Sequence, residues 1–174
     1  MIFSIIVPTY NEENDIAGTL DSLVALEGYS KEILIVDDST DRTPEIVMGY
    51  AEHAVRLIHP GGGGRCEARN IGIQAAVGDI VIILNADVRL PHDFLTCISK
   101  HYGDGCDYLL VGSRVSNINH VLARYIGCMG DSVYNESADT ANIEWTEGFS
   151  CRKVSALKAG LFPTGYPVPI VAGE

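Results

Sequence analysis

Basic residues are scarce in this chain: Lys and Arg number 12 against 23 Asp and Glu, for a formal charge of −11. A nucleic-acid binder normally shows a basic stripe, so that class is excluded. Any phosphorylated ligand must then be met locally, by a metal ion, an arginine or backbone N–H groups. No apolar run reaches the roughly 18–20 residues that a membrane span needs. The five cysteines (Cys66, Cys97, Cys106, Cys128 and Cys151) are odd in number, widely spaced and without a C-x-x-C pair. That argues against a metal cage or disulfide framework and for a reducing, cytoplasmic setting. No charged n-region precedes the first strand, so no signal peptide is expected.

Glycine is missing where the common nucleotide folds require it. The first strand is followed by Pro8-Thr9-Tyr10-Asn11, with no G-x-G-x-x-G after it. The glycine run at 61–64 places Cys66 or Glu67 at the third required position, and Arg65-Cys66 follows it instead of Lys-Ser/Thr. A dinucleotide-binding dehydrogenase and a P-loop are both excluded. Sugar nucleotidyltransferases carry a Gly-rich, Arg-containing loop directly after strand one, and that loop is absent too.

What the chain does have is an alternation of short apolar runs with helical patterns. Strands are predicted over 4–7, 33–36, 54–58, 80–84 and 108–111, with a further short one at 150–152. Helices are predicted over 12–26, 44–53, 66–77, 91–101, 118–134 and 154–160. Ile16, Leu20 and Leu23 supply the amphipathic spacing of the first helix. Runs rich in Ile and Val with no polar alternation read as central strands covered on both faces. The expectation is an α/β fold, a doubly wound and mostly parallel sheet flanked by helices. At 174 residues one domain suffices. The strand–helix alternation changes near residue 115, which divides the chain into 1–115 and 116–174. The Pro- and Gly-rich stretch 163–174 shows no closing helix or strand, and the chain is expected to be the front of a longer protein. The apolar stripe of 118–134 reads as core packing in preference to a membrane face.

Two acidic loops stand directly behind buried strands: Asp37-Asp38-Ser39 after 33–36, and Asn85-Ala86-Asp87 after 80–84. In open α/β sheets ligands sit beyond the carboxyl ends of the strands. Hard oxygen ligands at that edge can hold a divalent metal and, with it, a diphosphate. Tyr10 can stack on a base, and Asp37 or Asp38 can accept hydrogen bonds from base N–H or ribose hydroxyl groups. Asp87 is the metal-ligand candidate.

Four segments in series carry a family resemblance: 4–12 (Ser-Ile-Ile-Val-Pro-Thr-Tyr-Asn-Glu), 35–43 (Ile-Val-Asp-Asp-Ser-Thr-Asp-Arg-Thr), 68–72 (Ala-Arg-Asn-Ile-Gly) and 84–87 (Leu-Asn-Ala-Asp). Through about residue 115 their order and spacing resemble glycosyltransferase family 2. The resemblance implies a GT-A fold and an inverting transfer from a nucleotide-diphosphate sugar, UDP favoured, held with Mg2+ or Mn2+. The acceptor is expected to be a saccharide or a lipid-linked group. It further implies that Pro8, Thr9, Tyr10 and Glu12 form the base and ribose pocket, and that Asp38 bonds the base with Asp37 beside it. Asn85-Ala86-Asp87 matches the D-x-D motif with Asn in first place, and Arg69 falls near the diphosphate. Glu147-Gly148-Phe149-Ser150 resembles the segment bordering the acceptor, and Val171-Ala172-Gly173-Glu174 the start of the motif that supplies the catalytic base. Glu174, with Glu147 next, is therefore the base candidate. Membrane association, at the inner face, is expected only through a part beyond residue 174. The rival expectations are a nucleotide-sugar-binding module without catalysis and a sugar nucleotidyltransferase.

Overall fold

The computed structural model describes residues 1–112, 114–116, 119–136 and 148–165. Its centre is a six-stranded sheet in the order β3-β2-β1-β4-β6-β5. The strands are β1 (Ile2–Thr9), β2 (Ser30–Asp37), β3 (Val55–Ile58), β4 (Ile80–Ile83), β5 (Tyr108–Leu110) and β6 (Phe149–Arg152). The first four run parallel. β6 enters antiparallel between β4 and β5, pairing Ile82 with Ser150 on one side and Leu109 with Ser150 on the other. The doubly wound, mostly parallel sheet expected from the apolar runs is what forms.

Among the described residues six α-helices accompany it: α1 (Ile16–Val24), α2 (Thr43–Met48), α3 (Gly64–Ala75), α4 (Phe94–Gly103), α5 (Val121–Glu136) and α6 (Lys153–Ala159). Strand residues alternate between two cores. Phe3, Ile5 and Val7 of β1 join Ile33 and Ile35 against Ile16, Leu20 and Leu23 of α1 and Phe94, Leu95 and Ile98 of α4. Ile6, Leu34, Val36, Val81 and Ile83 face the other way, onto Ala68 and Ile73 of α3 and, at the rim, Ala156 of α6. Each fully buried aliphatic side chain contributes about 1.5–3 kcal/mol. Two covered faces explain why β4, Ile-Val-Ile-Ile, is buried at every position.

The amino edge of the sheet is closed by a buried carboxylate. Glu32 accepts from Ser4 Oγ at 2.6 Å and from the Val77 N–H at 2.6 Å, and pairs with Arg56 at 3.3 Å. The acidic loops gather at the opposite, carboxyl edge.

Several predicted boundaries shift, and one reading is overturned. The first helix starts at Ile16 instead of residue 12, because the Glu12 and Glu13 amides are taken by Thr43 Oγ1 and Asp41 Oδ2, which hold this stretch in a turn. The second ends at Met48, where Gly49 turns back onto Ile46, and a 3-10 turn (Ala51–His53) follows. The stripe at 118–134 is not core packing over its described part. Val121, Leu122, Tyr125 and Ile126 are 53–71% exposed, and of the described α5 side chains only Ala123 is buried. Among the described residues, α1 and α4 cover one face of the sheet and α3 with α6 the other.

Candidate active site

The carboxyl edge opens into a cleft of about 510 Å3. Its walls come from four strand ends: Pro8, Thr9, Tyr10 and Glu12 after β1, Val36 and Asp38 at the end of β2, Pro60 with Gly64, Arg65 and Ala68 after β3, and Asn85, Ala86 and Asp87 after β4. They converge because β1, β2 and β4 are parallel neighbours, so every loop following them emerges on one side. A second cavity of about 340 Å3 lies between α3, β5 and α6, lined mainly by apolar groups such as Ile73, Phe149, Ala156 and Phe162. It lacks the convergent polar groups that recognition of a charged ligand requires.

The β4 loop is held from below. Thr19 of α1 donates its hydroxyl to the Ala86 carbonyl at 2.5 Å, and the Leu84 N–H bonds Ile6 O at 3.0 Å. This leaves the Asp87 side chain exposed in the cleft while its backbone is anchored to the core. Tyr10, which also lines the cleft, is 66% exposed, so its ring is open to stacking by a planar group.

The adjacent pair Asp37-Asp38 divides its work. Asp37 is fully buried, and its Oδ1 accepts from Thr9 Oγ1 at 2.6 Å and Ser39 Oγ at 2.5 Å. Only Asp38, one residue on and pointing the other way, reaches the cleft. Arg69 is likewise placed away from the cleft wall. It is 2% exposed, with its guanidinium 5.4 Å from the centre of the Phe162 ring. The cation lining the cleft is Arg65, which the sequence reading did not single out. Its signal was its position, immediately after the glycine run. Glu147 and Glu174 lie outside the described residues.

Negative charge is concentrated on one wall. The Glu12 carboxyl is pushed above its ordinary value, first by burial, then by Asp87, Asp15 and Asp41, with Arg65 opposing. Ionising it therefore costs more in the folded chain than in the unfolded one. That penalty is absent below pH 4.5, grows as pH rises through the folded-state value, and is complete above it. Glu12→Gln should raise the melting temperature of the ligand-free protein at neutral pH and leave it unchanged at acid pH. A pH series of thermal unfolding checks this, and parallel curves for variant and parent would refute it.

Among the described residues, no three His, Cys, Asp or Glu side chains form a ready-made metal cage. A site with one or two carboxylates at a cleft suits a hard divalent ion that takes its remaining ligands from phosphate and water. Asp87, with Glu12 near enough to feel its charge, meets that description. The residues fit Mg2+ or Mn2+.

An open, mostly parallel α/β sheet of this order, with a cleft at its carboxyl edge, is a fold of the GT-A kind. The chain belongs to glycosyl transferase family 2, whose model matches residues 4–162. It is 40% identical over 108 residues to the uncharacterized glycosyltransferase YibD of Escherichia coli, a match covering 60% of this chain and 31% of that protein. The structure of Staphylococcus aureus TarS 1-349 in complex with UDP-GlcNAc superposes with a TM-score of 0.77 at 25% identity, covering 93% of this chain and 48% of that one. Mannosyltransferase PcManGT from Pyrobaculum calidifontis, in complex with GDP-Man and Mn2+, superposes at 0.72 with 27% identity, covering 92% and 47%. The chain spans less than half the length of the curated relatives it matches, 20–39% in several cases. Among the described residues, no helix is long and apolar enough to cross a membrane.

Proposed function

We propose that this domain binds a nucleotide-diphosphate sugar in the cleft at the carboxyl edge and serves an inverting transfer of the sugar to a saccharide or lipid-linked acceptor. The observation that carries the reading is the convergence in one cleft of a stacking ring (Tyr10), an acceptor for a base (Asp38), a cation (Arg65) and a loop carboxylate (Asp87). Asp38 takes the base N–H, Tyr10 covers the base or ribose, and Arg65 lies on the phosphate side. Asp87, with Asn85 beside it, would hold Mg2+ or Mn2+. A bound divalent ion would offset the charge that develops on the leaving diphosphate. The acceptor proton passes to a carboxylate, for which Glu174 is the first candidate and Glu147 the second.

UDP is the favoured donor nucleotide. UDP-GlcNAc in TarS and GDP-Man in PcManGT show that this fold accommodates either base in related proteins, so the base must be tested directly. A calorimetric screen of UDP, GDP, TDP and CDP, each with and without Mn2+, should show the tightest binding for UDP with the metal. Absence of binding by all four would remove the nucleotide reading.

Asp38 supplies a second test. Replacing it by Asn swaps an acceptor-only group for one that also presents donors. Affinity for UDP should fall by about 1–2 kcal/mol, with little change for pyrophosphate, which has no base. Equal losses for both ligands would move Asp38 out of the base pocket.

A further inference from the structure

We propose that Asn11 and Ser39, neither of which lines the cleft, are positioning residues that lock its two base-side walls together in the geometry that receives the nucleotide. The inference rests on reading the cleft as a nucleotide site.

The backbone ladder between β1 and β2 ends at the pair Thr9 and Asp37, with one last bond from the Asp38 N–H to Thr9 O at 3.2 Å. Beyond it the two loops carry the cleft residues Tyr10 and Glu12 on one side and Asp38 on the other. Side chains take over from the ladder there. Ser39 Oγ donates to the buried Asp37 Oδ1 at 2.5 Å and accepts the Asn11 N–H at 2.7 Å. Asn11 Oδ1 in turn accepts the Thr40 N–H at 2.9 Å. Each loop thus holds the other, and the pair is anchored on Asp37, which also receives the Thr9 hydroxyl at 2.6 Å. Farther along, Thr43 Oγ1 and Asp41 Oδ2 accept the Glu12 and Glu13 amides.

Two features separate this from ordinary loop packing. Asn11 adopts φ 58°, in the left-handed region, and it is flanked by Tyr10 and Glu12. A non-glycine residue held there is strained by on the order of 1 kcal/mol and persists where its surroundings over-determine it, typically at ligand clamps. Asn11 and Thr40 are also exposed, so their bonds compete with water and return little net stability. The sheet beneath is complete without them. What the interlock does fix is the separation of Tyr10 from Asp38, the two groups assigned to the base. Walls held in place before the ligand arrives need not be ordered on binding, and affinity gains accordingly.

Ser39→Ala removes both hydroxyl bonds, and Ser39→Thr retains the hydroxyl. Asn11→Gly removes the side-chain acceptor while relieving the left-handed strain. Affinities of this chain for UDP and for pyrophosphate, both with Mn2+, are measured by calorimetry alongside melting temperatures. Ser39→Ala and Asn11→Gly should each weaken UDP by about tenfold, with pyrophosphate affinity close to the parent's. Asn11→Gly should keep the parent's melting temperature, whereas Ser39→Ala should lower it because the buried Asp37 carboxylate loses a donor. Ser39→Thr should bind UDP like the parent. If both variants keep the parent's UDP affinity, or lose UDP and pyrophosphate alike, the positioning role is overturned while the nucleotide site stands. A parent chain that binds no UDP overturns the site reading and this inference with it.

Discussion

Asp87→Ala should abolish the Mn2+-dependent part of nucleotide binding and leave the fold as it is. The side chain is exposed in the cleft, whereas the loop beneath it is held by Thr19 on the Ala86 carbonyl and by the Leu84 amide on β1. Substitutions at exposed positions away from packing generally change stability by no more than about 0.5 kcal/mol. The binding effect is far larger. A ligand present at a hundred times its Kd stabilises the native state by about 2.7 kcal/mol, and the metal-linked portion of that stabilisation should vanish. In thermal shift, the parent should gain stability with UDP plus Mn2+ beyond UDP alone, and adding EDTA should return it to the UDP-only value. The variant should show no difference between these conditions. A variant shifted by UDP plus Mn2+ as far as the parent would take Asp87 out of the metal site.

Gly72→Ala should destabilise the body of the domain despite the small size of the change. A Cβ at Gly72 would stand 2.3 Å from Ile6 Cγ2 and 3.3 Å from Val36 Cγ2, both on strands of the buried sheet. Alanine would otherwise help this helix, by about 1 kcal/mol over glycine at an interior position. Overpacking a closed core costs about 1–3 kcal/mol and occasionally more. Here neither Ile6 nor Val36 has solvent to move into, since both are fully buried. With the clash at the upper end of that range, the net loss after the helix gain is about 2 kcal/mol. For a domain of this length that lowers the melting temperature by roughly 2–4 °C per kcal/mol. Because α3 also carries Gly64, Arg65 and Ala68 into the cleft wall, nucleotide affinity should weaken along with stability. A melting temperature equal to or above the parent's would show that α3 can lift off the sheet without cost.

Gly72 illustrates what was legible before any coordinates. It closes the Ala68-Arg69-Asn70-Ile71-Gly72 segment, which marked the family resemblance without saying what a glycine was doing there; the helix-to-sheet approach supplies the reason. The antiparallel β6 was legible only as a short strand at 150–152, without its partners or direction. Its place depends on pairing with β4, nearly 70 residues earlier, and on Ser150 accepting the Tyr102 hydroxyl at 2.8 Å. No local pattern encodes such partners. The apolar spacing of α5 was equally real in the sequence, yet periodicity reports an amphipathic face and not what covers it.

By itself the sequence determined that the sheet is mostly parallel with buried central strands, and that the loops following the first, second and fourth strands share one edge. That follows from geometry, because parallel neighbours joined by crossover helices deliver successive loops to the same side of the sheet. Tyr10, Glu12, Asp38 and Asp87 could therefore be placed together from motif order alone. Only the tertiary structure decided between side chains one or a few positions apart. It buried Asp37 and turned Asp38 to the cleft, set Arg69 against Phe162 and brought Arg65 to the wall. Those choices depend on the side-chain direction at a strand end or on a helix face, and on which neighbours have already filled the space behind it.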